Sequence, residues 1–134
     1  MPPSPRPTGT VALRLPADPA FLSVLRTTAA SLAARLDLTL DEVEDLRIAV
    51  DEAAALVLGD GRPGADPGPA HLEAVFDLTP ARLTAVVSGP ATSLPASGEV
   101  AWAVLEALVG QVEVLPVPHG SAVRLVHDLP DEAA

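Results

Sequence analysis

Residues 39–58 read TLDEVEDLRIAVDEAAALVL, and this stretch restricts the fold more than any other. Thr39 is a good N-cap, and Asp41, Glu42 and Glu44 fall in the first turns, where the helix dipole favours anions. Gly59 is placed to stop the helix. At 3.6 residues per turn, Val43, Leu46, Val50, Ala53, Ala54 and Val57 form one apolar stripe. Ile48, Ala55 and Leu56 form a second apolar face, and Glu52 projects into it. A helix lying on a sheet needs only one apolar side. The second must be covered by another helix, a ligand or a partner. Asp51 and Glu52 interrupt an apolar run, where an unpaired buried charge would be costly. A purely structural account makes them edge residues paired with Arg47 or another Arg.

The rest of the chain supplies what this helix can pack against. Residues 1–8 are Pro-rich and expected to be a disordered tail, with a domain over 9–130 and a short tail at 131–134. Val11, Leu13 and Leu15 alternate with Ala12 and Arg14 as in a half-buried strand. Asp18 and Pro19 can open a first helix running to about Leu36 through Phe21, Val24, Leu25 and Leu32. GDGRPGADPGPA (59–70) is a loop by composition. Leu72, Ala74, Phe76 and Leu78 alternate in a strand, which a short turn at Thr79-Pro80 joins to ARLTAVVS. EVAWAVLEALVG reads as a third helix with Ala101, Val104, Leu105 and Leu108 on one face. QVEVLPV and SAVRLVHDL form a closing hairpin around Pro118-His119-Gly120. The order β-α-α-β-β-α-β-β predicts a two-layer α/β (α+β) sandwich. Its three helices cover one face of a mixed, mainly antiparallel sheet.

Composition narrows the chemistry. The 134 residues suit one domain with a real core. There is no Cys, hence no disulfide, thiolate nucleophile or cysteine zinc site. All eight basic residues are Arg, and there is no Lys or Asn, so mechanisms needing either are excluded. A formal net charge of −10 disfavours nucleic-acid binding and suits a basic protein partner, although solubility alone also accounts for it. No apolar stretch is long enough to span a bilayer, and the N-terminus lacks a secretory h-region. A cytoplasmic setting, with no membrane partner, is the simplest expectation.

Familiar catalytic patterns are missing. His71, His119 and His127 lack metal-ligand spacing, so no metal site is expected. There is no Gly-x-Ser-x-Gly elbow. GDGRPG has no Lys to complete a phosphate loop and precedes a strand rather than a helix, which makes it a connector.

The stretch LDLTLDEVEDLRIAVDEAAALVL, preceded by FLSVLRTTAASLAAR, resembles the N-terminal half of RsbW/SpoIIAB-type anti-sigma factors. These are serine-kinase relatives with the histidine-kinase/Hsp90-like (GHKL) ATPase fold. AWAVLEALVGQVEV and GSAVRLV resemble the family's last helix and closing strands, so the similarity covers roughly residues 10–129. Trp102 near the start of the third helix is similar to actinobacterial UsfX-type members. The family's catalytic helix carries Glu-x-x-x-Asn, the Asn holding the magnesium of ATP. Glu52 matches the Glu, and Leu56 stands at the Asn position without a hard oxygen ligand. The family's Asp-x-Gly-x-Gly motif reads adenine through its Asp. Here Val87 or Ser88 occupies that place and Gly89 alone is retained. The phosphate-binding Gly-x-Gly-Leu falls on Glu99-Val100-Ala101-Trp102. Glu99 puts an anion at the helix N-terminus, with Ser97 as a possible cap. Arg26 falls where family members carry a sigma-contacting Arg, whose fork suits a carboxylate.

The resemblance implies an anti-sigma factor that sequesters an alternative sigma factor in a stress-response setting. It also implies relief by a STAS-type anti-anti-sigma protein, and a homodimer. The departures make Glu52 vestigial, Mg-ATP binding unexpected, and the chain a pseudokinase. Ile48, Leu56 and Trp102 are expected to fill or narrow the emptied pocket between the second and third helices. Two alternatives stay open: a divergent active serine kinase using Mg-ATP, and a non-catalytic module of the same fold with another partner.

Overall fold

The helix pair and the sheet are joined by an element order that never lets parallel strands become neighbours. The computed structural model describes residues 6–59 and 70–130. Strand β1 (Gly9–Pro16) leads through a 3-10 turn (Pro19–Phe21) into α1 (Leu22–Ala33) and α2 (Leu40–Leu58). Strands β2 (His71–Leu78) and β3 (Arg82–Gly89) follow, then α3 (Val100–Val109), β4 (Gln111–Leu115) and β5 (Ser121–Asp128). The order across the sheet is β1-β2-β3-β5-β4, and every pairing is antiparallel. The expected mixed sheet is therefore corrected to an antiparallel one. The single-helix crossover does run β4 parallel to β3, but β5 inserts between them. The expected loop over 59–70 lies outside the described residues except at its two ends. The same holds for the expected C-terminal tail and for residues 1–5 of the N-terminal one. Arg6, inside that expected tail, is buried, and its guanidinium donates to the carbonyl oxygens of Pro80 (3.1 Å) and Pro130.

Period-two alternation sets the sheet's two faces. Leu72, Ala74, Phe76 and Leu78 of β2 are buried toward the helices, as are Leu83, Ala85 and Val87 of β3 and Val123 and Leu125 of β5. Val11, Leu13 and Leu15 lie opposite Phe76, Ala74 and Leu72 on this same face, but are only half-buried. The reason is the helix layer: α2 packs on β3, β5 and β2, and α3 on β4 and β5, whereas β1 packs mainly on β2.

Helix α2 follows its sequence signals closely. Thr39 caps it through a full capping box, the Thr39 hydroxyl accepting from the Glu42 N–H at 3.1 Å while the Thr39 N–H donates to the Glu42 carboxylate at 3.3 Å. Leu46, Val50, Ala53, Ala54 and Val57 are buried as the first stripe requires, with Ala49 added. Helix α1 differs from expectation. It opens as a 3-10 turn capped by Asp18 and ends at Ala33, so buried Leu36 lies beyond it in the following turn. Phe21 and Val24, two of the apolar residues along it, are 37% and 43% exposed. Helix α3 buries Trp102, Leu105 and Val109, while Val104 is exposed. Its inward face is thus rotated from the expected Ala101/Val104/Leu105/Leu108 face.

Three backbone segments meet where α2, β3 and β5 converge. A Cβ on Gly89 would lie 2.5 Å from the Val57 carbonyl oxygen, and a Cβ on Gly120 would lie 2.0 Å from the Gly89 oxygen. Gly120 also has φ +113°, a conformation open to glycine. The Ala91 N–H donates to the Val57 carbonyl at 2.8 Å, and the Ser121 hydroxyl donates to the Ala91 carbonyl. The end of β3 is thereby tied to the last turn of α2 on one side and to the start of β5 on the other.

Gly89→Ala is expected to destabilise the chain by about 2–4 kcal/mol, because the clash is with backbone rather than a movable side chain. Urea unfolding followed through Trp102 measures this. The Thr39 backbone N–H holds the Glu42 carboxyl below its ordinary 4.5, reinforced by the Thr39 hydroxyl and His127 against a desolvation penalty. A lowered folded-state value means that this contribution is complete above pH 4.5 and is lost as pH falls through the folded value. Glu42→Gln is therefore expected to be less stable than the parent at pH 7, with the gap closing in acid. Paired urea curves at pH 7 and pH 3 measure it.

Candidate functional site

The positions singled out in the sequence come from three elements that meet around the end of α2. Helix α2 carries Ile48, Glu52 and Leu56. Strand β3 carries Val87, Ser88 and Gly89. Helix α3, which packs against α2, begins at Glu99-Val100-Ala101-Trp102.

On α2 the two adjacent carboxylates have different fates. Asp51 is half-buried and accepts from Arg26 Nη2 at 3.0 Å and Nε at 3.3 Å. Glu52 is exposed, with no hydrogen-bond or ion-pair partner among the described residues. The cost of burying two charges is therefore avoided, by pairing one and exposing the other. Arg47 sits one turn earlier and pairs with Glu44 rather than Asp51. Of the structural options for the acid pair, the Arg26 bridge between α1 and α2 is the one realised for Asp51. Sequence reading missed this pairing because the two residues are 25 positions apart.

Leu56 is half-buried and packs on the core cluster, whereas Ala55 beside it is exposed, so the second apolar face of α2 is covered only in part from within the chain. Ile48 is half-buried outside that cluster. Trp102 is buried, and its indole N–H donates to the Pro95 carbonyl at 3.0 Å, folding the β3–α3 connection back over α3. Val87 is completely buried on the helix side of β3, and Ser88 faces the other side. Gly89 is occupied by its contact with Val57, not by an open cradle.

Glu99 is itself the N-cap of α3, exposed and making no side-chain cap bond. This corrects the expectation that Ser97 caps the helix. The chain extends through Glu99 (φ −72°, ψ 157°), so the orphan amides of α3 begin beyond Ser97. Ala101 is half-buried in the first turn.

Two cavities lie away from these residues. One, about 10 Å³, sits between the helices and the sheet, lined by Ala29, Leu46, Val50, Phe76 and His127 among others. The other is a cleft of about 520 Å³ at the β4 edge, lined by Glu106, Glu113 and Arg124 among others. Among the described residues no cluster of His, Asp or Glu could hold a metal ion. The three histidines are dispersed: His71 contacts Arg14, His119 is exposed in the closing turn, and His127 lies 3.1 Å from the Val109 carbonyl and 3.6 Å from Glu42. No helix among the described residues is long and apolar enough to cross a membrane.

No family model matches the chain. Curated relatives do. The chain is 42% identical over 43 residues to the serine-protein kinase RsbW of Bacillus subtilis, a match covering 32% of this chain and 27% of that protein. With the Bacillus pumilus RsbW the identity is 28% over 78 residues, covering 58% of this chain and 48% of the relative. The matches thus span between about a quarter and a half of these relatives' length. Among solved structures, the RsbU and RsbW domains of Rv1364c from Mycobacterium tuberculosis superpose with a TM-score of 0.70 at 18% identity, covering 93% of this chain and 34% of that one. At that identity the superposition establishes the fold. The partial sequence matches and the fold both point to RsbW-type proteins.

The Arg26–Asp51 bridge is expected to couple α1 to α2 by about 0.5–1 kcal/mol, since both partners are partly solvated. A double-mutant cycle of Arg26→Ala and Asp51→Ala by urea unfolding measures it.

Proposed function

We propose that this RsbW-type chain is an anti-sigma factor that works by sequestration, relieved by competition from a STAS-type anti-anti-sigma protein, and that it neither binds Mg-ATP nor acts as a kinase. The observation that supports the reading is a retained fold in which half-buried Leu56, buried Val87 and exposed Glu99 stand where the resemblance places the nucleotide motifs. Magnesium needs hard oxygen ligands, and Leu56 offers none. Val87 is buried in the core and cannot hydrogen-bond a base. Glu99 places a carboxylate where a helix N-terminus would otherwise attract phosphate, and a polyphosphate there is repelled. Glu52 is then a relic of a general base with nothing beside it to activate.

Sequestration needs a surface rather than a pocket. The net charge of −10 steers a basic partner toward the chain and raises the association rate. Arg26 supplies a directional contact. Asp51 takes two of its N–H groups through one carboxylate oxygen, and the remaining donors of a side chain still 39% exposed can bind a partner carboxylate. Release without a kinase depends on antagonist abundance or on chemistry supplied by another protein. In this reading the protein is a cytoplasmic homodimer with no resident cofactor.

Co-expression with candidate sigma factors tests the reading. One of them is expected to co-purify stoichiometrically, and Arg26→Ala is expected to weaken that complex by about tenfold or more. Absence of any sigma factor from the purified complex contradicts it. Titration calorimetry with Mg-ATP separates it from the active-kinase alternative: no binding heat at millimolar nucleotide is expected, and micromolar affinity would establish a working site.

A further inference from the structure

A polar side chain interrupts the inward face of β5. Alternation along the strand puts Val123, Leu125 and His127 on the helix side, and the first two are buried core residues. Only 17% of the His127 side chain is accessible, and its Nε2 is buried with no hydrogen-bond partner among the described residues. An unpaired buried polar atom is costly, so it calls for an explanation. The explanation lies in what faces the ring. Nδ1 is 3.1 Å from the carbonyl oxygen of Val109, the last residue of α3. Nε2 is 3.6 Å from a carboxylate oxygen of Glu42, in the first turn of α2. Both neighbours are acceptors. A neutral imidazole carries one N–H, so either tautomer meets one acceptor with a donor and the other with a lone pair. The Nδ1–H tautomer is the better of the two, because it satisfies the closer acceptor. Only the imidazolium offers a donor to both.

The surroundings leave this choice to Glu42 and Val109. Beside the ring is the cavity of about 10 Å³, and every other side chain lining it is apolar, with Ala29 from α1, Leu46 from α2, Phe76 from β2 and Leu83 from β3 among them. Arg82 and Asp128, the next residues along β3 and β5, pair with each other at 3.1 Å on the opposite face of the sheet. The C-terminal end of α3 favours a cation, and the Glu42 carboxylate offsets the positive end of α2.

We infer that His127 is a proton-operated latch between the end of α3 and the start of α2, closed when the imidazole is charged and slack when it is neutral. The Val57–Gly89 crossing fixes one end of α2, and the latch governs the other. The inference is independent of the sigma-factor reading and of any partner. Its pH window has two limits. Free histidine titrates at about 6.5, and a contact made by the charged ring is present below that titration and lost as pH rises through it. The Glu42 carboxyl is held below 4.5, chiefly by the Thr39 N–H, and the carboxylate side of the contact is lost as pH falls through that lowered value. The latch is therefore closed in mild acid and slack on either side.

A double-mutant cycle of His127→Gln and Glu42→Gln, by urea unfolding at pH 8, 5.5 and 3, tests this. A coupling of about threefold or more in the unfolding equilibrium constant is expected at pH 5.5, with none at pH 8 or pH 3. A pair that merely fills space would couple equally at pH 8 and pH 5.5. That result, or no coupling at any of the three, overturns the latch. Nitrogen-15 NMR of the imidazole needs neither variant, only a chain in which His71→Gln and His119→Gln leave His127 as the single histidine. One proton, on Nδ1, is expected at pH 8, and protons on both nitrogens at pH 5.5. The Nε2–H tautomer at pH 8, or a neutral ring at pH 5.5, overturns the latch even if a cycle variant fails to fold.

Discussion

The passage of Gly89 against the Val57 carbonyl, with Gly120 against Gly89 behind it, fixes the distance between the helix layer and the sheet. No side chain separates these backbones, so α2 lies directly on the end of β3, and β5 begins directly beside it. The hydrogen bonds from the Ala91 N–H to Val57 and from the Ser121 hydroxyl to Ala91 lock the crossing. Everything at this end of the molecule is placed from there: the completely buried Val87 one turn of the pleat earlier, the connection that returns through Pro95 to Trp102, and α3 against the far side of α2. A glycine that resembles part of a ligand-binding motif in the sequence is explained in the structure by packing alone.

The same crossing accounts for the opening puzzle of α2. The two apolar sides of α2 are covered unequally, the second only around Leu56, with Ala55 left exposed. The sheet takes the Val50/Val57 stripe, and the chain's own core takes Leu56 on the second face. Only the acids had to escape burial, and they do so separately, Asp51 through Arg26 and Glu52 through solvent.

How much of this was legible in the sequence depended on whether a signal was local. The Thr39 cap of α2 and its stop at Gly59 were readable because caps are written within four residues. The first three strands were readable because more and less buried residues alternate along them. The phase of α3 was not, since VAWAVLEALV contains a single charged residue and an almost wholly apolar helix does not say which side faces in. The end of α1 was misplaced because Leu36 keeps the apolar spacing after the backbone has left the helix, turning through Asp37 at φ 57°. The antiparallel sheet was hidden by β5 entering between β3 and β4, a long-range choice with no local signature. The Arg26–Asp51 pair and the Val57–Gly89–Gly120 crossing are equally non-local. Of the candidate site, the residue types at Leu56, Val87 and Glu99 were visible in the sequence, but the partners around them were visible only in three dimensions.

Amide hydrogen exchange at Ala91 tests the central claim most directly, because its N–H exists in one state if the α2–β3 crossing is permanently closed and in another if nucleotide can part it. The account predicts that this amide exchanges only by global unfolding, at the rate of the core strands, and that millimolar Mg-ATP leaves its protection unchanged. Rapid exchange under native conditions, or a change in protection on adding Mg-ATP, would contradict it.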